Sequence, residues 1–377
     1  MRIGIDARFF GPSIGTGIGR YSQRLIEELE RIDTVNEYRI FLRDENFDLY
    51  RPASPRFTKV RAPWRWYSRD EQLRLPGAVR RAQVDFMHYL HFNVPLLSPQ
   101  PYVVTIHDLI LSTYPTPRAS TLGPAKYWLK QFAYRVVISS AVRRSRRVIT
   151  VTNHTKQDIV RHYGYPVDRI AVTYEGFDPS PMRATSVDLS PYGITGRYLV
   201  CVGNAYPHKN LERLIDAMSI INRSGSPVSL VLVGREDFFS RRLHGYVREK
   251  HADGYVKFTG YVDDDALDAL YRGAVAHVFP SLYEGFGLPG LEAMMRGIPV
   301  VAARASCFPE VFGDAARFFD PLRIDDMATT IRNVIDDRSL RTQLIDRGRE
   351  RIRRFSWRSM AEQTLAVYNT VRTQTRR

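Results

Sequence analysis

Cysteine is nearly absent from this 377-residue chain, which holds only Cys201 and Cys307. The two form no C-x-x-C pair and no metal-ligand spacing. A pair of core or loop thiols suits a reducing compartment, so the expected location is the cytoplasm. Long apolar runs are missing too. No stretch reaches about 18 uninterrupted apolar residues, so no membrane-spanning helix is expected. The opening MRIGIDARFF reads as a strand and not as a basic n-region followed by an apolar h-region, so no signal peptide is expected. Acidic residues are outnumbered, 40 against 55 Lys and Arg, giving a formal charge of +15. Such an excess points to an anionic partner, whether nucleic acid, acidic lipid or a phosphorylated substrate, without choosing among them. What remains is ordinary for a soluble protein: 44% apolar, 25% charged, mean hydropathy −0.30. The length suggests two or three domains.

The most informative stretch is FPSLYEGFGLPGLEAMMRGIP, from Phe279 to Pro299. It sets Glu284 and Glu292 eight positions apart, with Gly285, Phe286, Gly287, Leu288 and Pro289 among the residues between them. Upstream, AVAHVF reads as a buried strand. Downstream, LEAMMRG reads as a helix with Pro289 in its first turn and Gly297 as its stop. One acid therefore sits in a loop leaving a strand, and the other just inside the next helix. Loop amides and a helix N-terminus suit an anion, while carboxylates suit hydroxyls. Together they fit a ligand bearing both phosphates and sugar hydroxyls. A lone helix-capping acid would account for one Glu but not for both, nor for the glycines.

E-G-F-G-L-P-G-L-E resembles the Glu-x7-Glu signature of retaining glycosyltransferases of the GT-B fold, in particular glycosyltransferase family 4. Pro280-Ser281 before it and Gly297-Ile298-Pro299-Val300 after it fit as well. The resemblance implies two doubly wound Rossmann-like α/β domains facing a cleft, with a C-terminal helix crossing back to the first. The expected boundaries are 1–185 plus a returning helix at about 358–377 for the acceptor-side domain, and 195–357 for the nucleotide-sugar domain.

The N-terminal half alternates strands and helices. Arg2–Phe10, YRIFL (38–42), FTKV (57–60), FMHYL (86–90), YVVTI (102–106), VITVT (148–152) and IAVTY (170–174) read as strands. A glycine-rich turn, Gly11 to Gly19, precedes a helix with Tyr21, Leu25, Leu29 and Ile32 on one face. Arg20 stands where a dinucleotide fingerprint needs glycine, so no nicotinamide or flavin site is expected. The resemblance places this turn at the donor diphosphate and makes Gly17 its candidate contact. His107 and Asp108 follow a central strand, where side chains reach the ligand crevice of an open sheet. The resembled family carries a His-Asp pair there, near the transferred sugar. His107 is thus a candidate site residue, with Asp108 as orienter of its ring. Glu175-Gly176-Phe177-Asp178 stands where that family usually has Asn-Gly-Val/Ile-Asp. Pro179, Pro181 and Pro191 mark the linker.

Two basic, aromatic segments break the pattern. One is Trp64-Arg65-Trp66-Tyr67, leading to Arg74, Arg80 and Arg81. The other is a helix from about Lys126 to Ser140 that runs into Arg143, Arg144, Arg146 and Arg147. Both suit an anionic membrane surface, with aromatics at the boundary and arginines at headgroups. The plainer reading is a helix packed on the sheet, and we expect that for the stripe Leu129, Phe132, Ala133, Val136 and Val137.

In the C-terminal half, YLVCV (198–202), SLVLV (229–233), YVKF (255–258), AHVF (276–279) and VVAA (300–303) predict five parallel strands. After the first comes Gly203-Asn204-Ala205-Tyr206-Pro207-His208-Lys209-Asn210. It resembles the family segment whose cations face the donor diphosphate. Lys209 matches the lysine, while Asn204 and His208 replace cations. Val262, after Phe258-Thr259-Gly260-Tyr261, corresponds to the segment bordering the base. Asp263-Asp264-Asp265 precedes a helix, and acids at a helix N-terminus account for it without a metal.

The resemblance implies a retaining transferase that moves a hexose, with mannose the favoured guess, from a nucleoside diphosphate sugar to an acceptor hydroxyl. It assigns the catalytic roles to His107, Lys209 and Glu284. Donor binding falls to Gly17, Asn204, Lys209, Val262, Glu284, Gly285, Phe286, Gly287, Leu288 and Glu292. No metal or other cofactor is expected. The acceptor is a lipid-linked or saccharide chain in polysaccharide or glycolipid assembly. Association with the inner face of the membrane is a further expectation, and nucleic acid is not expected. The other readings are a sugar-nucleotide epimerase of similar fold and a non-catalytic basic lipid-binding protein.

Overall fold

The computed structural model describes residues 1–11, 17–119, 123–177, 187–223 and 227–375. Residues 12–16 of the glycine-rich turn lie outside that set, as do Asp178, Pro179 and Pro181 of the linker region and the tail residues Arg376 and Arg377. The chain forms two compact units. The first comprises Met1–Thr113, Pro124–Gly176 and Phe355–Arg377, and the second Tyr114–Gly123 and Phe177–Arg354.

The first unit is built on seven strands: β1 (Arg2–Asp6), β2 (Glu37–Leu42), β3 (Phe57–Arg61), β4 (Phe86–Tyr89), β5 (Tyr102–Ile106), β6 (Arg147–Thr150) and β7 (Ile170–Val172). They lie in the order β3-β2-β1-β4-β5-β6-β7, and every pairing is parallel. Ile3 is in register with Tyr38 on one side and Phe86 on the other. The order therefore reverses at β1, and a crevice opens beyond the carboxyl ends of β1 and β4. Such a sheet is covered on both faces, which is why all five residues of β5 are buried.

Helix Gly17–Ile32 buries Tyr21, Leu25, Ile26 and Leu29. Against it packs the returning helix Trp357–Thr375. Tyr368 on that helix reaches His88 of β4, Oη to Nδ1 at 2.6 Å. The chain also crosses itself closely at Gly176. A Cβ there would stand 2.2 Å from the Trp357 amide nitrogen, so only glycine fits.

The second unit holds six parallel strands: β8 (Tyr198–Val202), β9 (Ser229–Val233), β10 (Val256–Gly260), β11 (Ala276–Phe279), β12 (Val300–Ala303) and β13 (Ala316–Phe319), ordered β10-β9-β8-β11-β12-β13. Here the order reverses between β8 and β11. The sequence predicts five strands in this half. The sixth, ARFF, is an edge strand whose exposed Arg317 interrupts the apolar run that marks the others. Asp263 caps helix Asp264–Gly273 by accepting from the Ala266 amide.

Of the two basic segments, the first follows the plainer of its two readings and the second departs from expectation. Trp64 packs on the core of the first unit. Trp66 stacks on Phe9 at 4.2 Å under Arg43, and both tryptophans are half-buried. On helix Pro124–Arg144 the opposite holds. The stripe expected to pack is exposed: Leu129 is 70% accessible, Phe132 66% and Val136 40%. The packed edge is instead Tyr127, Gln131, Ile138, Ala141 and Val142. Gln131 donates to the Leu111 carbonyl and Tyr134 meets Ser112. Polar groups anchor the buried side, so the apolar pattern indicated the wrong face.

Four histidines with lowered pKa bring a dependence on pH, among them His91 of the first unit, at about 3, and His208 of the second, at about 4. His88 in β4 and His277 in β11 are fully buried, and burial lowers each pKa from 6.5 to about 3. The unfolded chain then binds more protons below pH 6.5, so stability falls as pH falls. Each of these side chains should cost its unit about 2 kcal/mol between pH 6.5 and 5, at about 1.4 kcal/mol per pH unit. Urea titrations at the two pH values check this. His277→Leu should reduce the acid loss of the second unit, the remainder coming from His208, and an unchanged pH slope in that variant would contradict the assignment.

Candidate active site

The loops after β8 and β11 flank the switch point of the second sheet, and their sequences lock them together. After β8, Gly203 turns at φ 141° and a short 3-10 turn, Pro207–Lys209, follows. Asn210 then takes φ 59°, a left-handed conformation that asparagine tolerates better than most residues. Its side-chain amide donates to the carbonyls of Pro280, at 3.1 Å, and Pro321, at 2.9 Å. The Leu282 amide donates to the His208 carbonyl at 2.8 Å.

This frame presents Lys209 to Glu284, Nζ to Oε1 at 2.5 Å, with side chains 18% and 13% exposed. The Glu284 amide donates to Ser306 Oγ at 3.1 Å, and Ser306 Oγ donates to the Glu284 carbonyl at 2.7 Å. Cys307 Sγ donates to the Phe286 carbonyl at 3.3 Å. Ser306 and Cys307, on the turn after β12, thus fix the loop that carries Glu284. Gly287 caps helix Leu288–Met295 at φ 97°, and Gly290 lies so near Phe312 that a Cβ would come within 2.4 Å of its ring.

Lys209, Gly203, Asn204, Cys201, Phe279 and Ser281 line one small pocket. An ammonium has three donors. One is spent on Glu284, and the others are suited to phosphate oxygens. Burial lowers the His208 pKa to about 4 although Glu284 opposes it, so this ring carries no charge at neutral pH. Burial likewise raises the Cys201 thiol to about 12, which leaves it protonated and unreactive. Phe286 and Leu288 are buried side chains, so any contact they make with a ligand is through backbone. Glu292 stands half-buried in the second turn of its helix, and Val262 is half-buried after β10.

The remaining candidates belong to the first unit. Gly17 is the exposed first residue of helix Gly17–Ile32. His107 follows β5. Its Nδ1 lies 3.3 Å from Glu175 Oε1 and its Nε2 3.0 Å from the Leu90 carbonyl, while Tyr21 sets its ring edge-on at 4.7 Å. The ring therefore meets an acceptor on each side, which fixes its plane. The expected orienter, Asp108, accepts from the Ile110 amide at 3.0 Å. A carboxylate two residues upstream of Ile110 is well placed for that local bond, and Glu175 takes the ring. The signal for Glu175 was an acid where the resembled family usually has an amide.

A buried charge cluster gave no comparable signal. Arg8, just past β1, pairs with Asp6 at 2.7 Å and with Glu71 at 2.7 Å, all three side chains 7% exposed or less. Asn93 donates to both oxygens of Glu71 at 2.8 Å.

Comparison with known proteins agrees with this architecture. The pattern defining Glycosyltransferase Family 4 matches residues 15–181, and that of Glycosyl transferases group 1 matches residues 193–351. The chain is 28% identical over 375 residues to the O-antigen chain mannosyltransferase B of Escherichia coli, covering 94% of this chain and 96% of that one. Among solved structures, sucrose-phosphate synthase from Thermosynechococcus elongatus superimposes with a TM-score of 0.74 at 20% identity, over 99% and 100% of the two chains. HepE of Anabaena, solved in complex with UDP and glucose, gives 0.71 at 19% identity, over 98% and 100%.

Proposed function

Since the chain belongs to the family 4, group 1 glycosyltransferases of GT-B fold, we propose that it transfers mannose from a nucleoside diphosphate donor to an acceptor hydroxyl with retention of configuration. The observation that carries this is the Lys209–Glu284 pair at the switch point of the second sheet. A cation beside a carboxylate serves a ligand with a pyrophosphate at one end and a polyol at the other. Mannose is favoured by the mannosyltransferase from Escherichia coli that the chain resembles over nearly its full length. That relative, named for an O-antigen chain, also favours a growing saccharide chain as acceptor, and we take that acceptor to be lipid-linked.

In this assignment Lys209, with Asn204, stabilises the departing diphosphate. Glu284 and the backbone of Gly285–Leu288 hold the sugar and phosphates, Glu292 accepts from ribose hydroxyls and the Val262 backbone borders the base. Gly17 and His107 serve from the first unit, His107 toward the transferred sugar. No protein carboxylate is assigned as nucleophile. The leaving phosphate takes the acceptor proton as the new bond forms on the same face of the sugar. No metal enters the scheme, so transfer should persist in excess chelator.

A thermal-shift panel of GDP, UDP and their hexose conjugates tests the donor. GDP-mannose should stabilise the protein, and Glu292→Ala should weaken its binding by about tenfold or more, the loss of charge-assisted hydrogen bonds. NMR of the product's anomeric centre tests retention. Silence across the whole panel, or wild-type affinity in Glu292→Ala, contradicts the assignment.

A further inference from the structure

The helix Pro124–Arg144 carries apolar residues on two opposite faces, and only one of them is covered. At about 100° per residue, Trp128, Phe132 and Val136 fall on one line, with Leu129 beside them. Trp128 is 54% exposed, Leu129 70%, Phe132 66% and Val136 40%. The face that packs on the first unit, Tyr127, Gln131 and Ile138, lies on the other side of the helix. A strip this apolar on a protein surface marks a place where something else binds.

Charge identifies the occupant. The helix contains no Asp or Glu. Lys126 and Lys130 flank the strip on one side and Arg135 on the other, while Arg143 continues its line beyond Val136; all four are exposed. At the C-terminal end, Arg144 donates to the carbonyls of Leu96 and Ser98, which holds the exposed Leu97 beside that end. Tryptophan, phenylalanine and leucine bordered by cations match a helix lying in the plane of a lipid headgroup layer. Two copies of this chain joined through the same strip would set these cations against their own equivalents with no acid on the helix to offset them.

We propose that helix Pro124–Arg144 docks the protein on an anionic bilayer, inserting Trp128, Leu129, Phe132 and Val136 among acyl chains while its lysines and arginines meet lipid phosphates. The strip shares no residue with the donor site of the second unit, so the proposal stands or falls independently of the donor assignment. Docking restricts the protein to the plane in which a lipid-carried acceptor lies.

The experiment is co-sedimentation of the full chain with phosphatidylcholine vesicles, and with vesicles in which one third of the lipid is phosphatidylglycerol. Wild type should partition at least about tenfold better onto the anionic vesicles, and high salt should reduce the difference. Leu129→Ser/Phe132→Ser should lower partitioning by about tenfold or more. Lys126→Gln/Lys130→Gln should lower it and flatten the salt dependence, while Arg39→Gln/Arg81→Gln, on a different basic surface, should not. The blue shift of tryptophan emission on binding should vanish in Trp128→Phe. These side chains are exposed, so unchanged melting temperatures should confirm folding, and the charge variant carries the test if the apolar one fails to fold. Equal binding by the helix variants and wild type overturns the proposal. So does a wild type that ignores vesicles but self-associates through the strip, losing its dimer in Leu129→Ser/Phe132→Ser.

Discussion

Lys209→Ala should lower kcat by about 10²–10³-fold, the usual consequence of removing one donor aimed at developing charge. The sugar–phosphate bond breaks with negative charge growing on the diphosphate. Lys209 is a partly dehydrated ammonium, 18% exposed, held in place by Glu284 and by the Asn210 anchors of its loop. His208 beside it is neutral, so it cannot substitute. The loss should fall more on kcat than on KM, because the charge that Lys209 stabilises is larger in the transition state than in the bound donor. Lys209→Arg restores the charge but not the compact geometry and should recover only part of the rate. Glu284→Gln separates the roles. It keeps hydrogen-bonding capacity toward the sugar but removes the partner that aims the ammonium. A kcat for Lys209→Ala within about tenfold of wild type, with the protein folded and saturated with donor, would remove Lys209 from the chemistry.

Much of the fold was legible in the sequence, and the reasons are physical. Parallel strands buried on both faces must be short continuous apolar runs, so YVVTI and SLVLV announced themselves. Gly287 and Pro289 were legible because turn geometry and helix entry restrict which residues fit, while Lys209 was singled out by the family resemblance and proves to pair with Glu284. Long-range partnerships were not. His107 could be singled out by its place after β5, but its carboxylate comes from Glu175, 68 residues on, and only the fold brings them together. Ser306 and Cys307 brace the Glu284 loop from a third strand end, with no local pattern to mark them. The exposed strip of helix Pro124–Arg144 was hidden for a different reason. Apolar periodicity says which residues align and not which of two aligned faces is covered, and here a glutamine and tyrosines took the inner one.

Arg8→Met should destabilise the first unit by about 3–5 kcal/mol, a large part of the stability of an ordinary domain. The substitution keeps much of the volume and deletes the cation between Asp6 and Glu71. Two carboxylates would then remain buried with no opposite charge. Glu71 already has its pKa raised, burial outweighing the Arg8 charge and the Asn93 hydrogen bond that act to lower it. Without Arg8 it should go higher still. A folded-state pKa above the unfolded one means the folded protein binds the extra proton, so that contribution to stability declines as pH rises. The difference between variant and wild type should therefore be smaller at pH 5 than at pH 8, even though acid weakens both through His88. The triple variant Arg8→Met/Asp6→Asn/Glu71→Gln should recover most of the loss, because it removes the unpaired charges together with the cation. Urea midpoints for the three proteins at both pH values decide the matter. An Arg8→Met protein as stable as wild type, or a triple variant no better than the single, would mean that the cluster's charges are not what makes Arg8 indispensable beneath the β1 loop.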